Sequence, residues 1–303
     1  MNSAQLSTGL KIVNPLLDAA NNLISLALAE DLDHAGDLTS SALIPAELNG
    51  VIQIVARSPG RLAGGPIAEQ VFRTLDNRCD VHRFVEDGSR LEKGMVVAEV
   101  RGPVRSLLTA ERTALNFLTH LSGIATLTRK YVDAAAGTRA QILDTRKTLP
   151  GWRALAKYAV ACGGGTNHRM GLYDGILIKD NHLGAWTSGL DRPSIAAAIR
   201  HSRSVTAAGI SIEVEVDSLS QLEDALSGAP DIVLLDNMSL DELQSAVGIR
   251  DARAAGVLLE ASGGVNLETV GPIARTGVDR ISVGALTHSA PALDLAFDWI
   301  RRG

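Results

Sequence analysis

The chain has 303 residues, 46% hydrophobic and 21% charged, with 29 basic and 34 acidic side chains and a net charge of −5. That length suits about two domains, and that composition a folded chain rather than a disordered one. The acidic balance speaks against nucleic acid as the main partner, and no apolar run nears the ~18–20 residues of a membrane span. The opening segment MNSAQLSTGLKIVNPLL lacks the basic start and apolar core of a secretory signal. Cys79 and Cys162 have no CxxC or Cys/His ligand spacing, which argues against a disulfide framework or structural zinc and favours the reducing cytoplasm.

Up to about residue 105 short alternating runs are broken by glycine and proline. Val51–Ala56 predicts a strand, and Gly60, Gly64, Gly65 and Pro66 interrupt the chain after it. Val81 to Val100 predicts strand–turn–strand, with Asp87-Gly88 and Lys93-Gly94 as turns. The expectation is a mostly antiparallel sheet with helices beside it. DGSRLEKGMVVAEVRG shares the cadence of a biotinyl or lipoyl hairpin but lacks its modified tip, so only turn chemistry is shared. Next, Leu108, Arg112 and Leu115 fall at i, i+4 and i+7, which puts a guanidinium on a leucine face. Glu111 cannot face it. Such a charge calls either for a buried ion pair or for a site, including one on another subunit.

From about residue 140 strands and helices alternate. The predicted strands are Gln141–Leu143, Gly175–Ile178, Ser211–Val216, Asp231–Leu235, Gly256–Leu259 and Arg280–Val283. Trp152, Leu155, Ala156, Ala159 and Val160 share one helical face, and Gly163 ends that helix. Ser220/Glu223 and Ser239/Glu242 have capping-box spacing. Six such units favour an α/β barrel over an open sheet, and no dinucleotide or P-loop fingerprint follows a strand.

The C-terminal strand ends of such a barrel share one rim, where substrates bind. After the first strand come Asp144, Thr145, Arg146, Lys147 and Thr148, and after the second Lys179, Asp180, Asn181 and His182. The third carries Glu213 and Glu215, and the fourth ends in Asp236-Asn237. The fifth is followed by Glu260, Ala261, Ser262, Gly263 and Gly264, and the last, through Val283, by Gly284. Six polar or glycine clusters at one rim exceed what helix capping needs. Between Arg139 and Asn181 seven basic residues meet three acidic ones, an excess that points to a polyanion pocket more than to a solvated helix face. Arg146, Lys147, Arg169 and Lys179 with His168 form a cationic side, suited to an anion with more than one carboxylate or to a phosphate. Glu215 and Asp236 form an acidic side that could take Mg²⁺ or a ribose diol, or do acid/base work. Ser262-Gly263-Gly264 and Val283-Gly284 are turns of the kind that hold a phosphate at a barrel mouth. Gly163-Gly164-Gly165 ahead of His168 and Arg169 is either a helix stop or a loop that orders on a ligand. Cys162 reads as a small buried hydrophobe.

At these residues the sequence resembles the quinolinate phosphoribosyltransferases. The matching segments are EDLDHAGDLTS (30–40), ERTALNFLTHLSGIATLT (111–128), DTRKTLPGWRALAKYAVACGGGTNHRMGLYDGILIKDNH (144–182), IEVEVDSL (212–219), IVLLDNM (232–238), LEASGG (259–264) and GVDRISVGALTHS (277–289). They run in order along almost the whole chain. Leu149 and Trp152 depart from the expected Thr and Leu, and neither position carries charge.

The resemblance implies an N-terminal α/β sandwich over residues 1–116 and an incomplete α/β barrel over 117–288, with residues 289–303 as candidates to pack back on the sandwich. It implies transfer of phosphoribosyl from phosphoribosyl pyrophosphate to quinolinate with decarboxylation, in NAD biosynthesis. It implies Mg²⁺, no organic cofactor, and a homodimer in which one N-terminal domain covers the other barrel mouth. Thr145, Arg146, His168, Arg169 and Lys179, with Arg112 reaching across the dimer, would hold quinolinate. Lys147 would meet the pyrophosphate or the reacting carboxylate. Glu215 and Asp236 would hold ribose hydroxyls and metal, and Ser262, Gly263, Gly264, Val283 and Gly284 the 5′-phosphate. Lys147, Lys179, Glu215 and Asp236 are the expected catalytic set. The nearest alternative is transfer to another ring acid such as nicotinate. A Schiff-base lyase on Lys147 or Lys179 would not need the arginines, and a binding protein would not need Glu215 and Asp236.

Overall fold

The computed structural model describes residues 14–186 and 194–300. Its elements, in chain order, begin α1 (Asn14–Leu32), α2 (Leu38–Leu43), β1 (Asn49–Ala56), β2 (Gly60–Arg61), α3 (Gly65–Leu75), β3 (Asp80–Arg83), β4 (Arg90–Leu91), β5 (Val96–Pro103) and α4 (Val104–Ala134). They continue β6 (Gln141–Leu143), α5 (Arg153–Cys162), β7 (Ile176–Ile178), α6 (Asp180–Trp186), α7 (Ile195–Val205), β8 (Ile212–Val216) and α8 (Leu219–Ser227). The last are β9 (Ile232–Asp236), α9 (Leu240–Arg253), β10 (Leu258–Ser262), α10 (Val270–Arg275), β11 (Arg280–Ser282), α11 (Ala285–His288) and β12 (Leu295–Trp299). Among the described residues no helix is long and apolar enough to cross a membrane.

The chain divides into two compact units. One takes the described residues up to Arg129, Thr148–Gly164 and the described residues from Leu286 on; the other takes Lys130–Lys147 and Gly165–Ala285. The sequence boundary at 116/117 lies inside the 31-residue α4, whose helical periodicity continues past it.

The first unit is built on an antiparallel sheet in the order β12-β1-β5-β3, with β2 and β4 as a separate ribbon. Ile52 sits between Trp299 and Val100 across the two ladders. Ile52, Ile54 and Val100 are buried. The amphipathic α3 buries Ile67, Ala68, Val71 and Phe72, the spacing of a single helix face, and Phe72 stacks on Phe297 at 5.8 Å. Asp87, in the turn before β4, accepts from the N–H groups of Gly64 (2.8 Å) and Gly65 (3.0 Å) at the start of α3 and from the Tyr158 hydroxyl (2.7 Å). The predicted face of α5 is buried at Leu155, Ala156, Ala159 and Val160. Gly163 ends α5 by packing rather than by a left-handed turn. Its φ is −75°, and a Cβ there would lie 2.5 Å from the Ala125 carbonyl oxygen.

The second unit holds a six-stranded parallel sheet in the order β6-β11-β10-β9-β8-β7. Strands β7 to β11 lie side by side in chain order, and β6, the first, joins beyond β11. This is barrel winding with one seam between β6 and β7. Two sequence expectations shift. Strand β10 begins at Leu258 instead of Gly256, because the Val257 amide closes a turn onto the Ala254 carbonyl at 2.9 Å. Glu260 and Ser262 are therefore strand residues. Helix α8 begins one residue after Ser218, so Ser220 lies inside its first turn and forms no capping box; Glu223 instead pairs with Arg253 at 3.1 Å. The Ser239/Glu242 box is formed at α9.

Candidate active site

Alternation along the parallel strands decides which side chains share a face. On β8, Ile212, Val214 and Val216 are buried apolar residues, and Glu213 and Glu215 take the other face. Register places Glu213 beside Ile232, Glu215 and Glu260 beside Leu234, Ser262 beside Asp236, and Glu260 beside Arg280. One sheet face thus carries four carboxylates, a guanidinium and a hydroxyl.

At the C-terminal end of that face, the Lys179 ammonium hydrogen-bonds to Glu215. Asp236 and Ser262 end adjacent strands, and Asn237 donates to Asp236 Oδ2 at 2.7 Å. Asn237 has φ 56° and donates its N–H to the Ser262 carbonyl (2.9 Å). Gly263 has φ 94°, and a Cβ on it would lie 2.1 Å from Asn237 Oδ1. Only glycine fits both the conformation and the space. Val283 donates its amide to the Leu143 carbonyl at 2.9 Å, fixing the turn that leads to Gly284.

The cationic side lies in the same unit. Thr145 Oγ1 accepts from the Lys147 N–H (3.1 Å), and the Lys147 side chain is exposed. Arg169 donates to the Gly175 carbonyl at 3.0 Å. Burial, and then the like charge of Arg146, lower the Arg169 pKa. Two guanidinium groups held this close repel until an anion joins them.

His168 sits beneath them. Its Nε2 lies 3.1 Å from Glu213 Oε2 and 3.4 Å from Glu260 Oε1, and Arg280 Nε donates to Glu260 Oε2 at 2.7 Å. The second His168 contact is at ion-pair distance but outside hydrogen-bond geometry, so Glu260 Oε1, like Glu213 Oε1, is buried without a hydrogen-bond partner. Asp144, fully buried, accepts the His168 N–H at 2.9 Å, and the Arg169 N–H points at His168 Nδ1 at 2.7 Å. Burial disfavours the imidazolium, but the adjacent Glu213 and Glu260 carboxylates outweigh it and push the ring up to about 9. Burial raises the Glu213 pKa, whereas His168 and Arg280 hold that of Glu260 down against its own burial. The Arg169 amide donates to Nδ1, which leaves the ring proton on Nε2, facing Glu213. The three side chains also offer one ligand atom each within 4.8 Å of one another, a metal-like spacing.

Arg112 belongs to the other unit. It is exposed on α4, and among the described residues it makes no ion pair or hydrogen bond. The buried ion pair that the leucine spacing allowed is not formed; Leu115 is covered, but Leu108 is exposed as well.

Residues 37–122 match the N-terminal domain of quinolinate phosphoribosyl transferase, and residues 124–298 match its C-terminal domain. The chain belongs to the quinolinate phosphoribosyltransferase family. It is 49% identical over 285 residues to a nicotinate-nucleotide pyrophosphorylase [carboxylating] of Mycobacterium leprae, covering 93% of this chain and 97% of that one. It is 38% identical over 288 residues to a mitochondrial quinolinate phosphoribosyltransferase [decarboxylating] of Nicotiana tabacum, covering 90% and 80%. A solved nicotinate-nucleotide pyrophosphorylase from Francisella tularensis superposes with a TM-score of 0.86 at 38% identity, over 96% of this chain and 98% of that one. "Carboxylating" and "decarboxylating" name one reaction read in opposite directions. For a family with this chemistry, sequence reasoning singled out His168 but not the carboxylates and guanidinium around it. Glu213 and Glu260 were visible as strand-end carboxylates, but Arg280 carried no sequence signal. The one available clue was parity: Glu213 and Glu215, two apart on a strand, must share a face.

Proposed function

We propose that this chain transfers the phosphoribosyl group of phosphoribosyl pyrophosphate to quinolinate, giving nicotinate mononucleotide, pyrophosphate and CO₂. The observation that carries this reading is the like-charge pair Arg146 and Arg169 near strand ends that also bear Lys179–Glu215, Asp236 and the Gly263 turn. A cationic pair suits a ring with two carboxylates better than a ring with one.

In this reading Thr145, Arg146, Arg169 and Lys179 hold the carboxylates of quinolinate, with His168 as the buried member of the same group. Glu215 and Asp236 face the ribose. As pyrophosphate departs, positive charge grows at the sugar C1, and two carboxylates stabilise it. Lys147, exposed at the rim, meets the departing anion. The pyridine nitrogen then bonds to C1 and becomes cationic; when the adjacent carboxylate leaves as CO₂, its bonding pair stays on the ring carbon, stabilised by the neighbouring positive nitrogen, and a proton from water takes the carboxylate's place. The backbone around Ser262, Gly263, Gly264, Val283 and Gly284 takes the 5′-phosphate. Glu215 and Asp236 present hard oxygen donors from neighbouring strands, the type Mg²⁺ takes. When bound, Mg²⁺ would neutralise charge on the pyrophosphate. The chemistry needs no organic cofactor.

The unit holds its site as a homodimer, with Arg112 supplied across it. In support, Arg112 stands exposed one turn from the exposed Leu108 on α4, and Leu38 and Leu43 of α2 are exposed as well. Helix α2 is fixed to α4 there, since Arg105 Nε donates to the Ile44 carbonyl (2.7 Å) and Thr109 to Asp37 (2.9 Å). A cytoplasmic location agrees with two free buried cysteines. Burial pushes the Cys162 thiol up to about 12 and the Cys79 thiol up to about 11, so neither is a reactive group.

The test is a discontinuous assay with quinolinate, phosphoribosyl pyrophosphate and Mg²⁺, and nicotinate as control. Mononucleotide and CO₂ in equal amounts from quinolinate alone support the reading. Product from nicotinate would move the chain to transfer onto another ring acid, and quinolinate binding without product would make it a binding protein.

A further inference from the structure

We infer that Glu213 and Glu260, backed by Arg280, are positioning residues that hold the His168 ring and, through it, the anion-binding arginine Arg169. The inference rests on the reading of Arg169 as a holder of the substrate's carboxylates. Three strands converge on one imidazole: β8 brings Glu213 to 3.1 Å from Nε2, β10 brings Glu260 to 3.4 Å, and β11 brings Arg280 to Glu260 at 2.7 Å. The opposite ring nitrogen faces the Arg169 amide at 2.7 Å, and the Arg169 guanidinium is tied to the Gly175 carbonyl at 3.0 Å. The ring is therefore fixed on one side by carboxylates and on the other fixes the backbone of Arg169.

The group is buried, so its charge is felt at the arginines with little screening. Glu213 acts on Arg169 directly by Coulomb attraction. Other charged groups near His168 include Asp144 just after β6, which accepts its backbone N–H at 2.9 Å, and Asp174 in its own loop, which accepts from the Met170 amide. Strand β9 contributes only Ile232 and Leu234 at the neighbouring register. Loss of either carboxylate frees the ring to turn, and the Arg169 segment that the ring supports then meets an anionic substrate less well.

The experiment is steady-state kinetics at neutral pH on the wild-type protein and on Glu260→Gln and Glu213→Gln. In both variants KM for phosphoribosyl pyrophosphate should stay at the wild-type value, because the group supports only the carboxylate-holding Arg169. At neutral pH both variants should raise KM for quinolinate roughly tenfold and change kcat by less than about threefold. A structural role alone would lower Tm and leave both KM values as in the wild type, which overturns the inference. Should Glu260→Gln not fold, an unchanged KM for quinolinate in folded Glu213→Gln overturns it. A wild type that does not turn over quinolinate at all sinks the functional reading instead, so the two failures are told apart.

Discussion

The two ends of the six-stranded sheet use charge in opposite ways. At the N-terminal ends Arg250, Asp279 and Asp231 each have a charged partner within the chain. Arg250, buried, donates to Asp279 Oδ2 (2.6 Å), to Asp251 (2.6 Å) and to the Val257 carbonyl (2.8 Å). Asp279, just before β11, also accepts from the Leu259 amide at 2.9 Å and pairs with Arg139 at 3.1 Å. Asp231, just before β9, accepts from the Ile212 amide (2.7 Å) and from Arg203 (2.8 Å). These bonds stitch each strand to its neighbour. At the C-terminal ends Lys179 pairs with Glu215, but Arg146 and Arg169 repel each other, and Asp236 accepts from the neutral amide of Asn237. Charge that is paired within the chain supports the fold, whereas charge crowded against its like is held for a ligand.

That contrast can be broken. Arg250→Ala should have the largest effect, leaving Asp279 without its buried partner and lowering stability by about 3–5 kcal/mol. Chemical denaturation would measure it, with kcat/KM near the wild-type value where the variant is folded. A loss of kcat/KM without loss of stability would erase the division between the two ends. Arg146→Ala should do the reverse, removing ~2–5 kcal/mol of transition-state binding while the denaturation midpoint stays close to that of the wild type. An unchanged kcat/KM would remove Arg146 from the site.

Smaller changes sharpen the comparison. Gly263→Ala places a Cβ against Asn237 at a φ of 94°, and should cost about 1–3 kcal/mol, read as a raised KM for phosphoribosyl pyrophosphate. If KM for quinolinate rises instead, the phosphate subsite lies elsewhere. Ser239→Ala removes the cap of α9 and should cost about 1 kcal/mol of stability with activity intact. Borohydride in the presence of substrate should trap no covalent adduct on Lys147 or Lys179, and a trapped adduct would return the lysines to nucleophilic chemistry.

Much of this was legible in the chain itself. The six strands of the parallel sheet and the face of α5 follow from periodicity, because burial on one side imposes a repeat of 2 or 3.6 residues whatever the partners are. The rim residues followed from strand ends and local chemistry. The failures share a cause. Ser220 has capping-box spacing, but the helix starts at Leu219, one residue before it. Arg112 sits at leucine spacing, yet its side of α4 is open to solvent. Which groups surround a side chain depends on the other elements packed there.

Sequence by itself determined the kinds of element, their order and the residue types at each strand end, since these depend on neighbours within a few positions. Only the tertiary structure decided that Glu213, Glu260 and Arg280 meet around His168. Those four come from three strands and a loop, spread over more than a hundred residues of chain. Their meeting depends on strand order and register, and a one-residue slip in either would turn them to opposite faces.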